Sequence, residues 1–177
     1  MKKLLLVLVL FTTVSVISDL KMNKIVIPKE AIRFRVIANS DSDSDQELKI
    51  KVKDNLNNEL QSILKDSSSI EESRSLIKNN IVKLNNNISN TLRSNNMEEK
   101  FTINYGNNYF PEKEYKGVKY NEGEYESLVV KLGKGEGKNF WCVLFPPLCL
   151  IDENKEKTSK VEYRVLIKDI LDKYFNN

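Results

Sequence analysis

Between Leu48 and Leu92 the apolar residues of this chain recur every three or four positions, and in the strand-like runs between Phe101 and Phe145 they tend to recur every second one. A helical stripe and a pleated strand bury residues at different spacings, so this change of period makes the chain combine both element types around a core. Ile32, Phe34, Val36 and Ala38 also alternate, with Arg33 and Arg35 between them, which predicts a strand with one solvated or partner-facing side. The polar run from Asn39 to Asp45 ends that strand. A helix is expected next. Leu48, Val52, Leu56, Leu60, Ile63 and Leu64 share one face, Ser44 and Glu47 have capping-box spacing, and Asp43 and Asp45 suit the positive helix end. A second helix, capped by Ser69, carries Leu76, Ile77, Ile81, Leu84, Ile88 and Leu92 on one stripe.

The second half reads as strands. Phe101, Ile103 and Tyr105 alternate, Gly106 to Asn108 is expected to turn the chain, and Gly117 marks a further turn. Residues 124–132 and 140–145 read as an antiparallel hairpin joined through Gly133, Gly135 and Gly137. A charged loop follows, then a final helix over 161–175 with Tyr163, Leu166, Ile167, Ile170 and Tyr174 on one face. This order predicts an α+β fold, with helices on one face of a mainly antiparallel sheet and a single domain over 21–177.

Residues 1–20 predict an export signal or an N-terminal anchor. Lys2 and Lys3 precede an apolar run over 4–17, broken only by Thr12, Thr13 and Ser15. A bilayer span takes roughly 20 apolar residues, so the run fits a signal-peptide core better. Either reading places the rest of the chain outside the cytoplasm, where cysteines can pair. Cys142 and Cys149 flank a Pro146-Pro147 bend within the run NFWCVLFPPLCLI. They are a candidate disulfide or two buried free thiols. With no histidine and no further cysteine, a tetrahedral zinc shell has too few ligands.

The missing histidine also excludes Ser-His-Asp and Cys-His catalysis. A formal net charge of +3 with mixed signs gives no nucleic-acid stripe. Asp41, Asp43 and Asp45 imitate the start of an EF-hand loop, but Gln46 stands where Gly is needed and Val52 where Glu is needed. Gly133 to Lys138 is glycine-rich yet fails the phosphate-loop and dinucleotide spacings. Glu112, Glu114, Glu122, Glu124 and Glu126 could supply an acid/base pair, though nothing fixes their separation, and a solvated rim is the plainer reading. Trp141, Phe140, Phe145, Tyr109 and Phe110 are either core or a recognition patch, since aromatics dominate interface hot spots. Alternation puts Phe140 and Cys142 on one face, and Trp141 and Val143 on the other.

Three blocks together resemble the stage II sporulation protein R family of endospore-forming bacteria. They are IRFRVIANSDSDSDQELKIKVKDNL (32–56), the stretch from Asn104 to Asp152 containing WCVLFPPLC, and the leader. Two positions depart from the family pattern: Arg35 stands where His is expected, and Phe140 where a second Trp is usual. The resemblance implies a secreted signal without catalytic residues or cofactor. It would be made in the forespore and exported to the space between forespore and mother cell. There it would trigger a membrane-embedded sporulation aspartic protease of the mother-cell septal membrane, leading to pro-sigma-E processing. Nucleic acid and small-molecule substrates play no part in that scheme, and membrane contact comes only through the leader or the partner. Trp141, Phe140, Phe145, Tyr109, Phe110, Arg33 and Arg35 are the candidate partner contacts. The rival readings are an exported wall-acting hydrolase using the Glu residues and a membrane-tethered structural module of the septum.

Overall fold

The computed structural model describes residues 25–97, 100–149 and 159–175. In chain order these form β1 (Ile25–Val26), β2 (Ile32–Ile37), α1 (Asp43–Leu64), α2 (Ile70–Asn79), α3 (Ile81–Ser94), β3 (Phe101–Phe110), β4 (Lys113–Tyr115), β5 (Val118–Tyr120), β6 (Gly123–Leu132), β7 (Asn139–Phe145) and α4 (Lys160–Phe175). The α+β class expected from the alternating periods is observed. The leader over 1–20 and most of the charged loop after Ile151 lie outside the described residues.

A four-stranded sheet has the order β3-β6-β2-β7, and a three-stranded sheet the order β1-β5-β4. β2 runs parallel to β6 and antiparallel to β7. The expected hairpin between residues 124–132 and 140–145 is therefore corrected: β2 lies between those two strands and pairs with both. The glycine-rich connection wraps the end of β2 instead of making a tight turn. Glu136 and Gly137 donate their N–H groups to the carbonyls of Asn39 and Ala38, each at 3.0 Å. A Cβ at Gly137 would run into the Ser40 carbonyl, so only glycine lets the connection pass so close.

Burial explains the arrangement. Phe34, Val36, Leu128, Val130 and Leu132 project from one sheet face and are fully buried. Leu48, Val52, Leu56, Leu60 and Leu64 of α1, Ile77 of α2 and Leu84, Ile88 and Leu92 of α3 complete that core. A bulge in the β2–β7 register sets Ile32 opposite Phe145 and Arg33 opposite Val143. It lets Leu144 and Phe145 both join the helix-side core. A second cluster forms from Ile27, Ala31, Val118, Val143 and Leu148 with Tyr163 and Ile167 of α4. It ties the small sheet and the start of α4 to the opposite face of the main sheet.

Three local expectations are corrected. The cap of α1 is Ser42, whose hydroxyl accepts from the Asp45 N–H, so the helix starts before the Ser44–Glu47 pair. The second helix is two helices. Asn80 ends α2 and begins α3, with its amide donating to the Leu76 carbonyl at 2.8 Å. Asparagine competes for backbone partners in this way, which makes it a natural break. Gly106 to Asn108 does not turn: β3 runs straight through, paired with β6 from Phe101–Leu132 to Phe110–Gly123. The Ser69 cap holds, accepting from the Glu72 N–H.

Asp45 anchors the β2–α1 loop. It is buried at 7% exposure and accepts from the Ser40 hydroxyl at 2.6 Å and the Asn39 amide at 3.0 Å. The Ser40 hydrogen bond, opposed by burial and aided by Asn39 and Ser42, holds its carboxyl below the ordinary value. That contribution is complete above the unfolded pKa near 3.9 and is lost as pH falls through the lower folded value. Asp45→Ala should cost about 1.5–3 kcal/mol at neutral pH. Urea denaturation should show the difference shrinking towards about pH 3. A pH-independent deficit would mean that the anion is not what anchors the loop.

Candidate recognition face

The sheet face away from α1–α3 carries the polar and aromatic residues of alternating parity. β2 contributes Arg33 and Arg35, β7 contributes Trp141 and Val143, β6 contributes Tyr125, Ser127 and Val129, and β3 contributes Asn104, Gly106, Asn108 and Phe110. The small sheet and α4 cover one end of this face through Val143 and the second cluster. The other end, around Arg35, Val129, Trp141 and Asn139, is only half-buried.

The two arginines, two positions apart on one strand, meet different fates. Arg33 is 2% exposed, lies over the Tyr125 ring at 3.4 Å, and has the Phe110 and Tyr120 rings at 5.3 and 5.9 Å. Its Nη2 donates to the Asn121 carbonyl at 3.2 Å. Burial lowers its pKa, and the ring faces offset part of the cost of keeping the cation out of water. Arg35 stacks on Trp141 at 4.4 Å and donates from Nε to Asn139 Oδ1 at 3.3 Å. Lys113 approaches the same indole at 5.9 Å, and the Phe110 ring meets it edge-on at 5.3 Å. The indole is thus fixed from several sides while still reaching solvent.

The candidate contact residues therefore divide. Arg33 and Phe110, both at 2% exposure, are covered on this face, and Phe145, at 4%, packs in the helix-side core, so none of them offers much contact surface. Trp141 and Arg35 sit together at its open end. Phe140 points to the helix side, edge-on to Phe34 at 5.9 Å and under Lys53. The expected opposition of Phe140 with Cys142 to Trp141 with Val143 is observed. Tyr109 is 54% exposed and donates to Glu122 at 3.2 Å, apart from the Arg35–Trp141 cluster. Tyr120, Tyr125 and Lys113 join the site without any local sequence signal, because their placement depends on strand order.

Cys142 and Cys149 form a disulfide, with Cα atoms 5.7 Å apart. The Cys149 N–H donates to the Val143 carbonyl at 3.0 Å and the Leu148 N–H to the Pro146 carbonyl at 2.7 Å, so the bend is folded back on β7. This bracket fixes the strand that carries Trp141.

Several residues of the other candidate sites are engaged internally. The Lys134 and Lys138 N–H groups, which a phosphate would need, donate to Asn39 and Asp41. Glu126 accepts three bonds from Arg74, two from Nε and one from Nη2, at 2.8–3.0 Å, and one from Tyr105 at 2.9 Å. Burial alone would raise its pKa, but these donors outweigh burial and lower it. A glycosidase acid needs the opposite shift. Glu112 pairs with Lys119 at 2.8 Å.

The family model described as stage II sporulation protein R matches residues 28–155. A curated relative, "Stage II sporulation protein R" of Bacillus subtilis (strain 168), is 39% identical over 152 residues, covering 80% of this chain and 68% of its own. No solved structure matches.

Proposed function

Because this chain belongs to the stage II sporulation protein R family, we propose that it is a secreted signal between the two compartments of a sporulating cell. From the space between forespore and mother cell it binds a membrane-embedded aspartic protease of the mother-cell septal membrane. Binding activates the protease, which then processes pro-sigma-E. The observation that carries this reading is the open half of the sheet face, where Trp141 is held by Arg35, Phe110 and the Cys142–Cys149 bracket. Rigid aromatic and arginine residues on a pre-formed surface are what interface hot spots are made of. A ligand activates only through stronger binding to the active state, and turning a mostly inactive enzyme into a mostly active one takes on the order of a 10⁴-fold preference. A fixed surface can supply such discrimination better than a mobile loop.

Co-expression with the protease and its pro-sigma-E substrate in a non-sporulating host tests the reading. Processing is expected only when chain and protease are both present. Cleavage by the chain without the protease would refute binding as its role. Trp141→Ala should weaken the apparent affinity about thirtyfold, as expected from losing a hot spot of about 2 kcal/mol. Circular dichroism checks that the variant is folded. Full processing by a folded Trp141→Ala chain would move the contact surface elsewhere.

A further inference from the structure

β3 is an edge strand of ten residues, FTINYGNNYF, and it contains no charge, no proline and no bulge. Among the described residues no strand lies beyond it. Such an edge is a template for pairing, which proteins ordinarily blunt with lysine, proline or a bulge. The Lys100 carbonyl accepts from the Gly133 N–H at 2.7 Å, on the β6 side. In an antiparallel ladder alternate residues point the same way, so Phe101, Ile103, Tyr105, Asn107 and Tyr109 direct their N–H and C=O groups away from β6.

Gly106 adds a second observation. Its φ is not positive, and a Cβ built there meets only Asn104 Oδ1, at 3.7 Å. Among the described residues nothing requires glycine at this position, and close approach by another backbone is one of the uses to which a glycine inside a strand is put.

We propose that β3 is a dimerisation edge: two copies of the chain pair their β3 strands antiparallel about a two-fold axis at Gly106, joining their main sheets into one. With that axis, Tyr105 lies opposite the second copy's Asn107, and Ile103 opposite its Tyr109. These are outward-pointing positions, so they form the hydrogen-bonded pairs. Gly106 lies opposite itself in a non-hydrogen-bonded pair, flanked by Asn104 opposite the second copy's Asn108. Matching residues share a sheet face, as antiparallel pairing demands. The uncharged strand brings no like charges together. Just beyond it, the same register sets Lys100 opposite the second copy's Glu112 at both ends, a complementary pair of charges. Glu112 already has Lys119 beside it, and would be shared between the two lysines. This self-complementarity favours a second copy over an unrelated extended peptide.

Sedimentation of the purified chain over a concentration series should show a reversible dimer. Asn107→Pro deletes one outward N–H and leaves the ladder to β6 intact, so a folded Asn107→Pro chain should be monomeric. Gly106→Cys introduces a free thiol while Cys142 and Cys149 bond each other. Paired across the axis at a Cα separation of about 4.5 Å, within the roughly 4.4–6.8 Å of disulfides, Gly106→Cys chains should cross-link in oxidising buffer. Asn107→Cys, opposite Tyr105 instead of itself, should cross-link far more slowly. The Gly106→Cys readout stands even if Asn107→Pro fails to fold. A chain that stays monomeric, a dimer that survives in folded Asn107→Pro, or cross-linking no faster for Gly106→Cys than for Asn107→Cys would each overturn the proposal.

Discussion

Phe34→Ala is expected to lower folding stability by about 3–5 kcal/mol. Phe34 is fully buried on β2, the strand held between β6 and β7. It sits opposite Leu128 on one side and Cys142 on the other. Its ring meets Phe140 edge-on at 5.9 Å, and the helix-side core closes over it. Truncation removes the transfer free energy of the ring and leaves a cavity that three hydrogen-bonded strands cannot collapse to fill. Since a domain of this kind has only about 5–15 kcal/mol in hand, much of the population would unfold on modest warming. Urea denaturation should show a lower midpoint with an unchanged slope. A loss below about 1 kcal/mol, the average for an arbitrary substitution, would mean that β2 is not the central strand of a rigid core.

Replacing Cys142 and Cys149 together by serine should cost about 2.5 kcal/mol in the chain-entropy account of so short a loop. The effect should be local in a way that Phe34→Ala is not. The disulfide closes the bend that holds Leu148 beside Val143, and both residues pack against Tyr163 and Ile167. The sulfurs themselves lie on the α1–α3 side of the sheet, but the bend they close carries Leu148 into the second cluster, so its loss should loosen the docking of α4 first. Hydrogen exchange in the double variant should accelerate over 160–175 and the end of β7, with α1 and α3 keeping their protection. Uniform acceleration would assign the disulfide to the whole core. Unchanged exchange over α4 would separate the bracket from the second cluster.

Much of this was legible in the chain itself. Residues 32–38 read as a strand because Phe34 and Val36 alternate with arginines, and β2 forms over Ile32–Ile37. The stripe from Leu48 to Leu64 read as a helix, and its leucines and Val52 are the buried face of α1. Cys142 and Cys149 read as a candidate pair from their spacing and bend. Asn80 was harder, because an asparagine inside an apolar stripe is tolerated in many helices and breaks this one only by bonding back to Leu76. Gly106-Asn107-Asn108 misled for a related reason. Those residues favour turns in isolation, yet all of them pair with β6, and cross-strand pairing outweighs local preference.

The sequence by itself determined the long helix and strand segments and which side chains of each are apolar, because hydrophobic period is a local property, but not the break at Asn80 or the short strands β1, β4 and β5. Only the tertiary structure decided that β2 separates β6 from β7, because pairing is chosen among strands far apart in the chain. The fates of Arg33 and Arg35 follow from that choice. Alternation gives both the same face and therefore the same prospects. Strand order then brings Tyr120, Tyr125 and Phe110 over Arg33 and leaves Arg35 on Trp141 at the open end. A side chain becomes support or surface according to what distant segments cover it, and no local pattern carries that information.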